Sequence, residues 1–361
     1  MSLDIRKPTL LVNEKICRSN ILKMAIKARE SNVIFRPHFK THQSATIGEW
    51  FREAGVEKIT VSSVDMAHYF ADHNWSDITI AFPYNPLESA SITTLANKIK
   101  LNVLIESKES LYHLNKNVEA PVGYFLKIDV GTKRTGISTA RFHELPELVK
   151  SANPNHQFAG LLAHAGHAYK ILDQQQAHLI YKSSLEILND AQQTIGEKVF
   201  LSYGDTPTCT RLESFEGINE IRPGNFVYFD MTQQSYGSCS LDEIAVCMAC
   251  PIVSIHPERN EAVIYGGAVH LSKDYVQGAT SSFGSVVNLS KNGWNTSVEA
   301  HLIRLSQEHG IISGPSKYIH SLKIGDLVGV IPAHSCLTAD LQGYYLSLTG
   351  EKISKLNKCC I

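Results

Sequence analysis

The sequence lacks an excess of charge of either sign. Its 34 lysines and arginines nearly balance 35 aspartates and glutamates, and the formal net charge is −1 at pH 7. Proteins that bind nucleic acid or anionic membranes electrostatically present a surplus of basic groups. The balance therefore argues against both partners and favours a small-molecule ligand.

Long apolar runs are also absent. No stretch approaches the roughly 20 residues of a membrane-spanning helix. The start, Met-Ser-Leu-Asp-Ile-Arg-Lys-Pro, lacks the basic and then apolar pattern of a signal peptide. The sequence shows no internal repeat, low-complexity tract or long run of like charge. We therefore expect a cytoplasmic protein.

The sequence also lacks a dense set of cysteines. The eight that occur are scattered and do not form the dense framework of a small secreted domain, so we expect reduced thiols. Cys247 and Cys250 are spaced like a metal or redox pair. However, residues three apart on a strand face opposite sides, and the run from 245 to 255 is β-rich. We interpret both as structural, and we assign no role to Cys359 and Cys360.

Short β-type runs alternate with helical patterns or loops over roughly the first 230 residues. Eight such runs predict a (β/α)8 TIM-type barrel in an α/β chain, with a doubly wound sheet as the alternative. The runs are Val33–Phe35, Ile59–Ser62, Ile78–Phe82, Leu101–Ile105, Gly123–Asp129, Phe158–Ala163, Val199–Tyr203 and Asn219–Ile221.

After Asp230 the pattern changes to strands with no regular helices between them, which predicts a C-terminal β-rich domain. We expect an N-terminal segment at 1–15, a barrel at 16–235 and the β-rich domain at 236–361. No function is assigned to residues 281–307. The strand-like runs are Ile244–His256, Ala262–Tyr265, Asp326–Ile331 and Tyr344–Leu348.

Lys40 is the first candidate functional residue, because it stands in the string Arg36-Pro37-His38-Phe39-Lys40-Thr41-His42 just after an apolar run. A lysine that is partly desolvated and close to Arg36, His38 and His42 loses some preference for its charged form. It then becomes available as an amine nucleophile. The alternative is a surface lysine in a polar loop.

This string resembles the cofactor-lysine segment of the fold-type III pyridoxal-phosphate enzymes, in the branch of D-serine dehydratases and low-specificity D-threonine aldolases. The resemblance implies that Lys40 holds pyridoxal 5'-phosphate. It also implies a barrel followed by a β domain that the N-terminal segment joins. Such enzymes commonly form homodimers, and a homodimer is therefore expected here.

Further strings follow the predicted barrel strands, where catalytic groups of barrels lie. Residues 129–136 resemble the family's Asp-x-Gly-x-x-Arg-x-Gly turn, which implies that Arg134 lies beside the cofactor's phenolic oxygen; the alternative is a solvated arginine. Residues 164–169 are similar to the family segment whose tyrosine stands near the reacting carbon. Tyr169 is thus a candidate for proton transfer, while His164 and His167 either line the pocket or are structural.

Two strings are candidates for binding the phosphate. In residues 202–208 a glycine permits close backbone approach, and threonine hydroxyls with backbone N–H groups can donate to anionic oxygens. Asp205 departs from the family pattern, since a carboxylate beside a phosphate repels it unless it points away. Residues 222–230 resemble the string that supplies backbone donors after strand eight. The candidates are Tyr203, Gly204, Thr206, Gly224 and Asn225.

His334 and Cys336 form the last candidate pair. On an extended segment, residues two apart lie on one side and can chelate one ion. Imidazole and thiolate suit zinc and leave positions open for water or substrate; the alternative is two structural residues. The His-x-Cys pattern resembles the zinc site of the D-serine dehydratase branch, whereas D-threonine aldolases typically show His-x-Asp there.

The resemblance implies a D-serine ammonia-lyase in which Lys40 removes the α-proton and zinc helps the β-hydroxyl to leave. A D-threonine aldolase shares the cofactor residues and remains an alternative. An amino-acid racemase would need a second base, and a non-catalytic pyridoxal-phosphate carrier would need only the barrel. The preferred β-hydroxy D-amino acid stays open.

Overall fold

The computed structural model describes residues 4–150, 153–170, 173–277 and 281–357, so Cys359 and Cys360 lie outside the described residues. The strands are β1 (Thr9–Val12), β2 (Ile34–Phe35), β3 (Ile59–Val61), β4 (Asp77–Pro83), β5 (Lys100–Ile105), β6 (Gly123–Ile128), β7 (Gln157–Ala163), β8 (Leu201–Tyr203), β9 (Glu220–Ile221), β10 (Val246–His256), β11 (Glu261–Tyr265), β12 (Gly284–Ser290), β13 (Gly293–Trp294), β14 (Ala300–Leu305), β15 (His309–Ser313), β16 (Leu327–Pro332), β17 (Tyr344–Ser347) and β18 (Lys352–Ser354). The helices are α1 (Glu14–Glu30), α2 (Ala45–Glu53), α3 (Val64–Asp72), α4 (Ser89–Ala96), α5 (Lys108–Asn117), α6 (Leu145–Lys150), α7 (Gln174–Ile195), α8 (Thr206–Arg211), α9 (Met231–Ser235), α10 (Ala268–Leu271), α11 (Ser316–Ile319) and α12 (Ser335–Asp340).

The described chain divides into two compact units. The barrel unit comprises residues 22–40 and 48–224, and the β unit comprises residues 4–21, 41–47 and 225–357. The segment 41–47 therefore belongs to the β unit although it follows Lys40 directly.

The barrel unit is built on eight parallel strands in the order β2-β9-β8-β7-β6-β5-β4-β3. These strands are short and mostly apolar, as expected where parallel strands are covered on both faces. Each of the eight strands overlaps one of the predicted β-type runs. The predicted (β/α)8 barrel is confirmed.

The two edge strands of this sheet are joined by the segment that follows β2. His38 forms a parallel bridge with Thr60 of β3, where Phe39 N donates to Thr60 O (2.8 Å) and Thr60 N donates to Pro37 O (2.9 Å). These bonds close the sheet into a barrel, which excludes the doubly wound alternative. They also fix the backbone immediately before Lys40.

A buried polar network spans the strands at this closure. Arg36 Nε donates to Glu220 Oε2 (2.6 Å) and Arg36 Nη1 donates to Asp77 Oδ1 (2.7 Å). Glu220 also accepts from Ser202 Oγ (2.7 Å), and Ser202 Oγ accepts from Arg222 Nε (2.6 Å). Because a buried charge is tolerated only when it is paired and hydrogen-bonded, each member depends on the others.

The β unit contains a ten-stranded sheet in which β10, β16, β12, β14, β15 and β11 pair in a ring, since β11 contacts both β15 and β10. All pairings in this ring are antiparallel. Strand β1 pairs with β10 and with β17, so the N-terminal strand lies in this sheet. The predicted C-terminal β-rich domain is confirmed.

The β unit differs from its sequence interpretation in two respects. Strands β12, β13, β14, β15 and β18 were not predicted, because their apolar residues are interrupted by serine, asparagine and arginine. The expectation of no helices was wrong, since short helices including α10, α11 and α12 connect the strands. These helices are too short to show a 3.6-residue apolar period in the sequence.

The cysteines of the described residues are free thiols. Cys247 and Cys250 are both fully buried on β10, where burial raises the pKa of each thiol. Both behave as small apolar residues, as interpreted. Within the same described ranges, none of the helices has both the length and the apolar character that a bilayer span requires.

The closure network yields a stability prediction. Replacing Glu220 with Gln removes the negative charge that pairs with the buried Arg36, and we expect the free energy of unfolding of the protein to fall by about 2–3 kcal/mol. Urea unfolding followed by circular dichroism measures this change. The matched control is Glu197→Gln, an exposed position, where we expect a change within about 0.5 kcal/mol. Equal effects of the two substitutions would contradict this account of the closure.

Candidate active site

Lys40 lies two residues after His38, which forms the bridge that closes the barrel. The preceding Phe39 is fully buried, with its ring centroid 4.9 Å from that of Phe70 and 5.1 Å from that of Trp75. This anchor fixes the backbone, while the Lys40 side chain is exposed. The expectation that Lys40 is partly desolvated was therefore wrong, because the chain turns out of the core directly after Phe39.

Arg36 and His42, which we expected to act on Lys40 as cationic neighbours, are instead engaged elsewhere. Arg36 is buried and bound to Glu220 and Asp77, so its charge is compensated. His42 is fully buried in the β unit, where burial lowers its pKa to about 3, and Ser44 N donates to its Nδ1 (3.1 Å). His42 is therefore a neutral structural residue.

Sequence reasoning missed Lys127, a buried lysine on β6. Burial, together with the nearby charges of Arg222 and Arg134, lowers the pKa of Lys127 to about 8. A lysine within the apolar string Tyr-Phe-Leu-Lys-Ile was the signal that could have found it. A buried cation held among other cations at the ends of barrel strands is typical of a functional site.

The turn that carries Arg134 is shaped by Asp129. Its Oδ1 accepts from the backbone N–H groups of Gly131 and Lys133 (both 3.0 Å). Gly136 has φ +115°, and a Cβ there would lie 2.7 Å from Asp129 N, so only glycine fits. The predicted Asp-x-Gly-x-x-Arg-x-Gly string thus forms a tight loop with Arg134 exposed at its end.

The loop of Arg134 and the segment of Tyr169 are brought together by Thr132. Thr132 Oγ1 donates to His164 O (2.8 Å) and accepts from Gly166 N (2.8 Å). The Tyr169 ring lies 6.4 Å from the His164 ring. The structure therefore places these predicted residues in one neighbourhood after β6 and β7.

His164 is held neutral. Burial lowers its pKa well below the ordinary value, and the charges of Lys127 and Lys40 lower it further. Because a backbone carbonyl can only accept, the 2.6 Å contact between His164 Nδ1 and Gly204 O places the proton on Nδ1. Its Nε2 therefore carries a lone pair and can accept a hydrogen bond.

The loops after β8 and β9 approach closely at Gly204, where a Cβ would lie 2.8 Å from Arg222 N. Gly224 N donates to Thr206 Oγ1 (3.4 Å), which links the two predicted phosphate strings. The Tyr203 ring, in contrast, is buried and packs edge-on against Tyr181 of α7 (5.3 Å). Any ligand contact of Tyr203 must come from its backbone.

Asp205, which departs from the family pattern, caps the N-terminus of helix α8. Its Oδ1 accepts from Thr208 N (2.7 Å) at the start of α8. Burial raises the pKa of Asp205 to about 6 despite this bond. The carboxylate therefore carries less negative charge near neutral pH than an exposed aspartate.

His334 and Cys336 lie in the β unit, where β16 leads into α12. The expected extended segment was wrong: His334 precedes α12 with φ −135° and ψ 104°, and Cys336 lies in its first turn. The two side chains nevertheless interact, since a hydrogen bond to Cys336 contributes to the pKa of His334. The structure therefore brings this predicted pair together by a different backbone geometry.

Asp230 and Asn225 hold this loop. Asp230 Oδ2 accepts from Ser335 N (2.9 Å), Ser335 Oγ (3.1 Å) and Asn225 Nδ2 (2.7 Å). Asn225 Nδ2 also lies 3.4 Å from Cys336 Sγ, and Thr41 Oγ1 lies 3.2 Å from the same sulfur. Asn225, predicted to bind the cofactor, is thus placed beside Cys336 within the β unit.

A second carboxylate contacts His334. Asp274 Oδ2 lies 2.6 Å from His334 Nδ1. Burial alone would lower the pKa of His334, but its contacts with Cys336, Asp230 and Asp274 outweigh burial and raise the pKa to about 10. His334 therefore holds a proton near neutral pH unless a metal displaces it.

The residues present fit both groups that the family resemblance implies, pyridoxal phosphate and zinc. Lys40, Lys127, Arg134 and Arg222 place four basic side chains at or just after the ends of barrel strands, and burial is the main cause of the lowered pKa values of Lys127 and Arg222. These basic groups suit an anionic cofactor. No group of three or more potential metal-binding side chains converges within the described residues. His334 and Cys336 therefore supply two donors, which leaves open positions as a catalytic zinc requires.

Known proteins match this chain along its length. A family model described as the N-terminal domain of alanine racemase matches residues 12–232, and a serine dehydratase domain model matches residues 245–348. D-serine dehydratase of Dictyostelium discoideum is 32% identical over 95% of this chain and 93% of its own.

Solved structures show the same fold. D-threo-3-hydroxyaspartate dehydratase from Delftia sp. HT23 superposes with a TM-score of 0.90 at 21% identity, covering 98% of each chain. D-threonine aldolase from Filomicrobium marinum superposes with a TM-score of 0.84 at 19% identity, covering 99% of this chain and 97% of its own.

The fold and these relatives define a pyridoxal-phosphate-dependent lyase with an alanine-racemase-like architecture. The chain belongs to the family of D-serine dehydratases and D-threonine aldolases.

Lys127 yields a prediction about stability and pH. Its pKa is about 8 in the folded protein, below the ordinary 10.5, so the unfolded chain binds more protons between these values. The contribution of Lys127 to the stability of the wild type should therefore improve as the pH rises from 8 to 10.5, by up to about 3 kcal/mol. Lys127→Met should lack this gain and should be more stable than the wild type at pH 7, by about 1–3 kcal/mol.

Urea midpoints from pH 7 to pH 10 measure this difference. Lys198→Met, at an exposed position, is the matched control and should follow the wild type. A Lys127→Met variant with the wild-type pH dependence would contradict the assignment of a buried, charged lysine.

Proposed function

We propose that the chain is a pyridoxal-phosphate- and zinc-dependent D-serine dehydratase, which eliminates the β-hydroxyl of D-serine to give pyruvate and ammonia. The observation that carries this proposal is the His334–Cys336 pair, a thiol and an imidazole held together at the start of α12. The 32% identity to a D-serine dehydratase along nearly the whole chain supports it.

Lys40 would hold the cofactor, which when bound stabilises the negative charge that develops at the substrate's Cα. Lys40 is suited to this role because its backbone is fixed by the barrel closure while its amine is exposed. With its amine free, Lys40 Nζ would be the base that accepts the α-proton. Arg134 and backbone donors near Thr206 and Gly224 would orient anionic groups.

His164 and Tyr169 would act near the reacting carbon. His164 is neutral and offers Nε2 only as an acceptor, so it can orient a hydroxyl or a water without adding charge. Tyr169, next to it, can donate a proton. Neither residue replaces Lys40 as the base.

His334 Nε2 and Cys336 Sγ would hold zinc, whose Lewis acidity makes hydroxide a better leaving group. Solved variants of the Delftia dehydratase support this assignment. In one of them a histidine is replaced by alanine, and in another a cysteine two positions later is replaced and the protein is described as metal-free. The thiol donor set favours zinc over magnesium or calcium.

The second candidate function is D-threonine aldolase, because it uses the same cofactor residues and the fold superposes on a D-threonine aldolase. Cys336 favours the dehydratase, since aldolases typically carry an aspartate at that position. A racemase is disfavoured by the match of residues 245–348 to a serine dehydratase domain.

Product analysis tests the proposal. With pyridoxal phosphate and zinc, D-serine should give pyruvate and ammonia, and a chelator should abolish the reaction until zinc is restored. Lys40→Ala should reduce turnover by roughly 10²–10⁴-fold, while the exposed Lys198→Ala should not. Glycine and acetaldehyde from D-threonine, without any 2-oxo acid from either substrate, would instead assign the chain to the aldolases.

The pH dependence of zinc binding follows from His334. Because its pKa is about 10 in the metal-free protein, zinc must displace a proton from the ring at neutral pH. The apparent zinc affinity should therefore rise about tenfold per pH unit between pH 6.5 and 8.5 for each proton released. Competition with a chromophoric chelator measures it. An affinity independent of pH over this range would contradict the assignment of a protonated His334 that gives up its proton to zinc.

A further inference from the structure

Asp274 makes a short polar contact with His334, with Oδ2 2.6 Å from His334 Nδ1. We propose that Asp274 is a positioning residue for the metal, which holds the His334 ring so that Nε2 faces the ion and raises the affinity of the site. This inference rests on the proposed zinc site, and the experiment below separates the two.

The chemistry of the contact fixes which nitrogen is available. A carboxylate can only accept, so the proton shared with Asp274 belongs to Nδ1 of His334. The other nitrogen, Nε2, is then the one that can give its lone pair to a metal. A carboxylate behind the ring also makes the imidazole a stronger donor, an arrangement that recurs around metal-binding histidines.

Asp274 is held in place by its own segment. It follows the C-terminal end of α10, where Ser272 takes a left-handed conformation with φ +67°. Asp274 N donates to Ser272 Oγ (3.3 Å). A non-glycine residue adopts this conformation only when its surroundings require it. The backbone of the turn that carries Asp274 is therefore fixed by its surroundings.

The same turn is tied to the helix that carries Cys336. Thr338 Oγ1 of α12 donates to Leu271 O (3.0 Å), and Gln342 Nε2, just after α12, donates to His270 O (2.9 Å). Both acceptors lie at the end of α10, within four residues of Asp274. Asp274 and Cys336 are therefore fixed to one pair of helices, and the carboxylate is in place before a metal binds.

We assign Asp274 as a neighbour of a ligand and not as a third ligand, because its carboxylate contacts His334 Nδ1, whereas Nε2 is the nitrogen assigned to the metal. The side chains of His334 and Asp274 are 35% and 50% exposed. Exposed ion pairs contribute little to stability. The loss of Asp274 should therefore change metal binding and leave the fold intact.

The test is zinc affinity, measured on the full-length, cofactor-loaded protein by competition with a chromophoric chelator. Asp274→Asn should bind zinc about 10–100-fold more weakly than the wild type. Asp190→Asn, the same change at an exposed site on α7, should bind as the wild type does. The thermal midpoint of metal-free Asp274→Asn should stay within about 2 °C of the wild type.

A second readout is cobalt(II) absorption. The wild type should show thiolate-to-cobalt charge transfer, and Asp274→Asn should keep this band at saturating cobalt but with shifted d–d bands, since the ring orientation changes. If His334→Ala loses zinc while Asp274→Asn binds it like the wild type, the inference fails and the proposed site stands. If His334→Ala also binds zinc like the wild type, the proposed metal site itself fails.

Discussion

The barrel unit depends on how the charge of Arg36 is compensated. This guanidinium is buried between Glu220 of β9 and Asp77 of β4, next to the bridge that joins the two edges of the sheet. An uncompensated charge there would cost several kcal/mol. Because the closure fixes Phe39, it also fixes the backbone from which Lys40 projects. The cationic residue that the sequence suggested as an activator of Lys40 instead holds the scaffold of the site.

In the β unit, Asp230 has a role comparable to that of Arg36 in the barrel unit. One of its carboxylate oxygens accepts three hydrogen bonds, two of them from Ser335, the residue between His334 and Cys336. Thr41 and Asn225 then approach the Cys336 sulfur, and Asp274 approaches the His334 ring. The His334–Cys336 pair is therefore surrounded by polar partners that fix its direction, as the proposed metal site would require.

The barrel was predictable because parallel strands that are covered on both faces have short apolar runs in the sequence. Strand β12, with its sequence Gly-Ser-Val-Val-Asn-Leu-Ser, lacks such a run and was missed. Lys127 was detectable in principle, as one charge in an apolar strand. Asp274 was not, because its contact to His334 joins positions 60 residues apart. The motif strings identified candidate residues, but they did not show that α12 begins between His334 and Cys336, or that Lys40 is exposed.

The proposed dehydratase activity depends on a thiolate and an imidazole of this chain holding a catalytic zinc, which would make elimination from D-serine possible. X-ray absorption at the zinc edge of the cofactor-loaded protein shows which atoms bind the metal. We expect one sulfur near 2.3 Å and one imidazole nitrogen near 2.0 Å, with the remaining ligands oxygen or nitrogen, and loss of the sulfur in Cys336→Ala. Zinc surrounded by oxygen and nitrogen alone in the wild type would contradict the proposal.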